Sequence, residues 1–134
     1  MDGPEATHRR MLRARDAMDR DFALPLRVPT LAALACVSEA NFIRTFKATF
    51  GETPHRYLQR RRIERAMYLL RTSPMSVTDV CMESGFSGLG TFSRTFRDIV
   101  GESPSEFRRR GPLAPVPSCF VKAWTRPSSF GEAD

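Results

Sequence analysis

Two arginines, Arg44 and Arg94, stand fifty residues apart in the same short context. Residues 44–54 read RTFKATFGETP and residues 94–104 read RTFRDIVGESP, with six identities in eleven positions and two conservative pairs, Lys47/Arg97 and Thr53/Ser103. A guanidinium is a planar fork of donors. It can grip a carboxylate, or it can grip the major-groove edge of guanine, a contact worth ~1–3 kcal/mol of discrimination. For Arg44 and Arg94 the carboxylate choice means an ion pair with Glu83 or Asp79 that locks the unit. Lys47 and Arg97 lie one helical turn further on and suit a phosphate, or simply a solvated helix face. Ser38 and Ser87 precede the two runs and suit either a phosphate contact or a helix N-cap.

Other chemistry lacks its residues. His8 and His55 are far apart and no Cys-x-x-Cys pair exists, so a zinc ligand set is missing and no metal or cofactor is expected. Gly85, Gly88 and Gly90 have the wrong order for a nucleotide-binding loop. Cys36 and Cys81 fall at turn and packing positions, and no nucleophile, base and orienting group converge, so no catalytic residue is assigned and no enzyme is expected.

The elements that position the arginines read as helices. Phe42, Phe46 and Phe50 fall four apart, as do Phe92, Phe96 and Val100, each one stripe of a helix. Ahead of them, Leu31, Leu34 and Val37, and then Val77, Val80 and Cys81, form shorter apolar segments. The register slips by one between the two parts of each copy: Ala32 aligns with Cys81 and Cys36 with Gly85 at an offset of 49. Two short helices joined by a tight turn make a helix-turn-helix unit, here used twice. Gly51 and Gly101 stop the second helix of each copy. Thr53-Pro54 and Ser103-Pro104 then start another helix, with a full capping box at Ser103–Glu106 and an Asp-bearing version at Ser76–Asp79. The spacing predicts a long helix over 54–72, about 27 Å at 1.5 Å per residue, separating the two units, and an opening helix over 6–22. No strand pattern appears in residues 1–110, so the fold class is all-α.

Composition agrees with one modest domain. The chain has 134 residues, 21 Lys plus Arg against 15 acids, and a formal charge of +6. Residues 1–22 hold five Arg and five acids, and the segment from Gly111 is also balanced, so the excess lies between Ala23 and Arg110. A compact positive segment attracts polyanions, nucleic acid first. No apolar run reaches 18 residues and no secretory leader is visible, so a cytoplasmic protein without membrane contact is expected. The expected organisation is a domain over 1–110, with units at about 30–51 and 76–101, followed by a Pro/Ser-rich tail over 111–134. Cys119–Val121 and Trp124 make that tail apolar enough to pack on the helices or a partner.

The run from Leu31 to Arg108 resembles the DNA-binding domain of AraC/XylS-type transcription regulators. The resemblance rests on V-C-x-x-x-G-F at Val80–Phe86, F-S-R-T-F-R at Phe92–Arg97 and G-E-S-P-S-E-F-R at Gly101–Arg108. Tyr57-Leu58, Arg62-Ile63, Ala66 and Leu69-Leu70 of the long helix also match. It implies about seven helices, two helix-turn-helix subdomains joined by a long linker helix, and a regulator that contacts RNA polymerase. It also implies that each unit's second helix enters a major groove of double-stranded DNA, the grooves being adjacent. The outward stripe of the first such helix is Glu39, Ala40, Ile43, Arg44 and Lys47; that of the second is Leu89, Gly90, Ser93, Arg94 and Arg97. The family's base-reading positions map onto Ala40, Ile43 and Arg44, and onto Leu89, Gly90, Ser93 and Arg94, with Glu39 beside them. Ser38, Lys47, Ser87 and Arg97 are the phosphate candidates. Ala40, Ile43 and Leu89 can touch a thymine methyl but cannot hydrogen-bond a base, so part of the specificity is expected from DNA shape. The reading is a monomeric, sequence-specific regulator. The alternative is a protein-interaction module that binds polymerase or another regulator without reading bases.

Overall fold

The computed structural model describes residues 3–111, which form seven helices and no strand. They are α1 (Pro4–Asp21), α2 (Val28–Leu34), α3 (Glu39–Phe50), α4 (Pro54–Thr72), α5 (Val77–Glu83), α6 (Leu89–Val100) and α7 (Pro104–Arg110). The all-α expectation therefore holds. The opening helix starts two residues earlier than its apolar stripe suggests, because Pro4 supplies a preset φ at the first helical position. The expected packing of Cys119–Trp124 falls outside the described residues.

The chain divides between Gln59 and Arg60 into two compact units, a cut that falls inside α4. The first unit buries Met11, Ala14, Ala17 and Met18 of α1 with Leu31 and Ala32 of α2 and Phe42 and Phe46 of α3. Tyr57 and Leu58, from the first turns of α4, complete this core. The Tyr57 hydroxyl donates to the Asp19 carboxylate and ties that turn back to α1. The second unit buries Ile63, Ala66, Leu69 and Leu70 of α4 with Val80, Cys81, Phe86, Phe92, Phe96 and Phe107. Phe42, Phe46, Phe92 and Phe96 have no exposed surface, each contributing about 1.5–3 kcal/mol by burial.

The repeat is longer than its aromatic half. Met11, Ala14, Ala17 and Met18 correspond to Ile63, Ala66, Leu69 and Leu70 at a constant offset of 52. Each unit is thus three helices plus a closing turn. The ring contacts repeat too: Phe42–Phe46 at 5.6 Å matches Phe92–Phe96 at 5.8 Å, and Phe46–Tyr57 at 5.8 Å matches Phe96–Phe107 at 5.6 Å.

The turn inside each unit closes with the same two bonds. Val37 N–H donates to Ala32 C=O and Cys36 N–H to Ala33 C=O, both at 3.1 Å. Phe86 N–H donates to Cys81 C=O at 3.1 Å and Gly85 N–H to Met82 C=O at 3.0 Å. This is a Schellman ending, which needs one left-handed residue. Gly85 supplies it at φ 100, and Cys36 supplies it at φ 60 despite its side chain.

Beyond the turn the units differ by one residue. Residues 35–38 join α2 to α3, whereas residues 84–88 join α5 to α6. Ser38 caps α3, its hydroxyl accepting from Asn41 N–H at 3.2 Å. Ser87 does not head α6: Gly88 is the N-cap, in extended backbone and without a side-chain bond. The extra residue lies between the closed turn and the cap, so Ser87 is displaced from the position that Ser38 holds.

Candidate nucleic-acid interface

Gly51 at φ 85 and Gly101 at φ 97 end α3 and α6, so both helices run twelve residues with their Phe stripes inward. Thr95 of α6 is buried beside its stripe, whereas its counterpart Thr45 in α3 is half-buried. Glu39, Ala40, Arg44 and Lys47 of α3 are exposed, and Ile43 is 40% exposed. On α6, Gly90, Arg94 and Arg97 are exposed, Leu89 is 45% exposed, and Ser93 is half-buried. Ser38 and Ser87 are exposed as well.

The two arginines hold no carboxylate among the described residues, so the ion pair with Glu83 or Asp79 is not formed. Instead each guanidinium folds back towards its helix's N-terminus. Arg44 Nη2 donates to Asn41 Oδ1 at 3.2 Å. Arg94 Nη2 reaches Thr91 Oγ1 at 3.5 Å, the outer limit of a hydrogen bond. Arg94 Nη1 lies 3.7 Å from where a Cβ on Gly90 would stand, so Gly90 lets the guanidinium lie close to the helix. Reasoning from sequence missed Asn41 and Thr91. Their signal was present: both stand three residues before an arginine, on the same helical face.

The charges on the rest of the surface are more committed. Arg97 Nη2 stands 4.0 Å from Glu106 Oε1, and both groups are largely exposed, so the pair is weak and exchangeable. At the matching place in the first unit stands Arg56 rather than an acid, and Lys47 has no ion pair among the described residues. Glu106 also accepts from Ser103 N–H at 2.9 Å; that bond first, then the Ser103 hydroxyl, Arg97 and Arg109, hold its carboxyl below the usual carboxylate range.

Arg108 is committed inside the second unit. Its guanidinium donates to the carbonyls of Leu70 (3.2 Å), Ser73 (3.1 Å) and Met75, closing the C-terminal end of α4. Arg110 pairs with Glu102, and Arg60 and Arg61 both pair with Glu64. Burial pushes Arg62 below the ordinary guanidinium value, and it pushes the Cys81 thiol up, away from a reactive thiolate. Among the described residues no three His, Cys, Asp or Glu stand together as a metal site, and no helix is long and apolar enough to cross a membrane.

Two helix-turn-helix units, each presenting a helix with an exposed arginine, define a protein built to meet a double helix. Residues 31–110 match the family described as a helix-turn-helix domain, and the chain belongs to the AraC/XylS-type DNA-binding transcription regulators. The probable transcription factor PqrA of Proteus vulgaris is 31% identical over 100 residues, covering 75% of this chain and 81% of PqrA. An uncharacterised HTH-type transcriptional regulator of Haemophilus influenzae is 37% identical over 82 residues, covering 61% of this chain and 28% of that protein. Among solved structures, the DNA-binding domain of the global transcriptional factor AdpA in complex with a target DNA superposes with a TM-score of 0.70 at 28% identity. That match covers 89% of this chain and 97% of the AdpA domain. The chain spans about a third or less of the length of the leading curated relatives it matches.

Proposed function

We propose that α3 and α6 enter adjacent major grooves of one duplex, and that the chain reads a site of two short elements about one helical turn apart. Residues 1–110 act as one reading domain, with α4 as the spacer between units. Arg44 and Arg94 read guanine; Glu39, Ala40, Ile43, Leu89, Gly90 and Ser93 shape the surface beside them and admit a thymine methyl or exclude other bases. Ser38, Lys47 and Arg97 contact phosphate, and Ser87 does so from the loop rather than from the helix end. The observation that carries this reading is the matched pair of exposed arginines, each without a carboxylate partner among the described residues. RNA polymerase is the proposed protein partner. The chain works as a cytoplasmic monomer on DNA, with no catalytic step.

Exposed Ile43 and Leu89 favour one other reading, in which these helices bind protein and bases are not read. Selection of bound sequences from a random duplex pool, repeated with Arg44→Ala and Arg94→Ala, separates the two. Each substitution is expected to relax the preference in a different half of the site. With roughly 6–10 phosphate contacts, affinity is expected to fall ~10³–10⁵-fold between 50 and 200 mM salt. No enriched sequence, or an enriched sequence that both variants keep unchanged, would reject base reading.

A further inference from the structure

The two arginines are held differently, and the difference is chemical. Asn41 Oδ1 accepts two hydrogen bonds, from Arg44 Nη2 at 3.2 Å and from the Thr45 hydroxyl at 3.0 Å. An amide oxygen has two lone pairs, so both are used, and turning the oxygen away would break both bonds. A flipped amide would place its NH2 against a guanidinium and a hydroxyl. Thr45 is half-buried, which fixes the far side of this arrangement. Arg44 is therefore held by an acceptor that is itself held.

The second unit carries only part of this. Thr91 replaces Asn41 at the matching position, and its hydroxyl meets Arg94 Nη2 at 3.5 Å. A threonine hydroxyl rotates and offers a single oxygen on a shorter arm. Thr95 stands where Thr45 stands, so the hydroxyl that braces Asn41 in the first unit has a counterpart, but the amide it would brace is missing.

We infer that Asn41 is a positioning residue for Arg44, so that the first unit discriminates its base pair more sharply than the second. The inference rests on the base-reading role proposed for the two arginines. Its physical basis is preorganisation: a guanidinium already oriented loses less side-chain freedom on contact, and misalignment with a wrong base is not absorbed by rotation. The network stabilises one direction of the fork, and it adds no contact to DNA of its own.

The test uses the full chain and duplexes carrying single base-pair changes in the selected site. Asn41→Ala is expected to lower discrimination at the base pair read by Arg44 about three- to tenfold, the size of one hydrogen bond's net effect. Discrimination in the other half-site should stay unchanged. On an Arg44→Ala background the same substitution should have no further effect on discrimination. Asn41→Thr, which copies the second unit, should bring the two halves to similar sharpness. Thr91→Asn should rebuild the brace with Thr95 and raise discrimination by Arg94 about two- to fivefold, a gain that damage to folding would not produce.

Equal weakening of every duplex by Asn41→Ala would mark a direct phosphate contact and overturn the positioning role. So would an undiminished loss of discrimination on the Arg44→Ala background, or no change in discrimination at all while Arg44→Ala alone relaxes the site. If Arg44→Ala leaves the preference intact, the base-reading role itself fails, and that result is distinct from all of these.

Discussion

The first unit places a cysteine where the second places a glycine, in turns with the same hydrogen bonds. Cys36 sits at φ 60 and Gly85 at φ 100. A left-handed residue with a Cβ costs roughly 1–2 kcal/mol, whereas glycine adopts it freely. The first unit carries that strain and compensates with Ser38, whose hydroxyl caps the next helix. The second unit has a relaxed turn but starts its reading helix at Gly88, with no side-chain cap. A similar exchange appears at the C-cap of the turn's first helix. Ala35 fills its buried position with methyl, while the matching Ser84 buries a hydroxyl that finds no partner among the described residues. Two copies of one motif therefore distribute their weak points differently, and neither is a relaxed version of the other.

The closing turns differ most. Leu58 fills this place in the first unit with an apolar side chain, whereas Arg108 in the second joins three carbonyls at the end of α4. Arg108→Ala leaves those carbonyls without their charged donor, and a loss of about 2–4 kcal/mol is expected by urea unfolding. Arg108→Lys should restore little, since one ammonium cannot span three acceptors as a guanidinium fork does. If Arg108→Ala leaves the unfolding midpoint unchanged, the two closing turns are energetically alike after all.

Next in size is the pair of turns. Gly85→Ala is expected to cost about 1–2 kcal/mol, because it imports the strain of the first unit. Cys36→Gly should stabilise by about 0.5–1 kcal/mol once glycine's extra freedom in the unfolded chain is subtracted. Thermal melts of the two variants, read together, check whether left-handed geometry separates these turns.

The smallest effect concerns acid. The folded state holds the Glu106 carboxyl below its ordinary value, chiefly through Ser103. A depressed carboxylate contributes stability above its ordinary value, and that stability is lost as pH falls through the folded value. Glu106→Gln is expected to flatten the fall in unfolding midpoint between about pH 5 and pH 3. The first unit has Arg56 at this place and no such contribution, so an identical acid profile in the variant would erase the distinction.

Much of this was legible in the sequence, for identifiable reasons. Phe stripes four apart, Gly51 and Gly101, and the Thr53-Pro54 and Ser103-Pro104 starts each name a local structure that short-range forces impose. The longer repeat was also visible, since residues 9–14 read RRMLRA and residues 61–66 read RRIERA, but its apolar members are not identical and its offset is 52 rather than 50. The place of Ser87 is not legible, because the sequence shows a one-residue slip between the two parts of each copy and only hydrogen bonds say on which side of Ser87 the turn closes. The partners of Arg44, Arg94 and Arg108 were not legible. Side-chain direction decides the first two, and the third joins residues 33 to 38 positions apart in the chain.

The position of that slip has a consequence for how such chains change length. Ser87 follows a turn that is already closed and precedes a helix that is not yet begun. A residue gained or lost there alters only a short tether. The same change between Phe92 and Phe96, inside α6, would turn one of the two about 100° away from the other and off the core. A change of length at this joint thus leaves the side chains aimed outward from α6 with their bearing, because the turn before it and the helix after it each close on their own bonds.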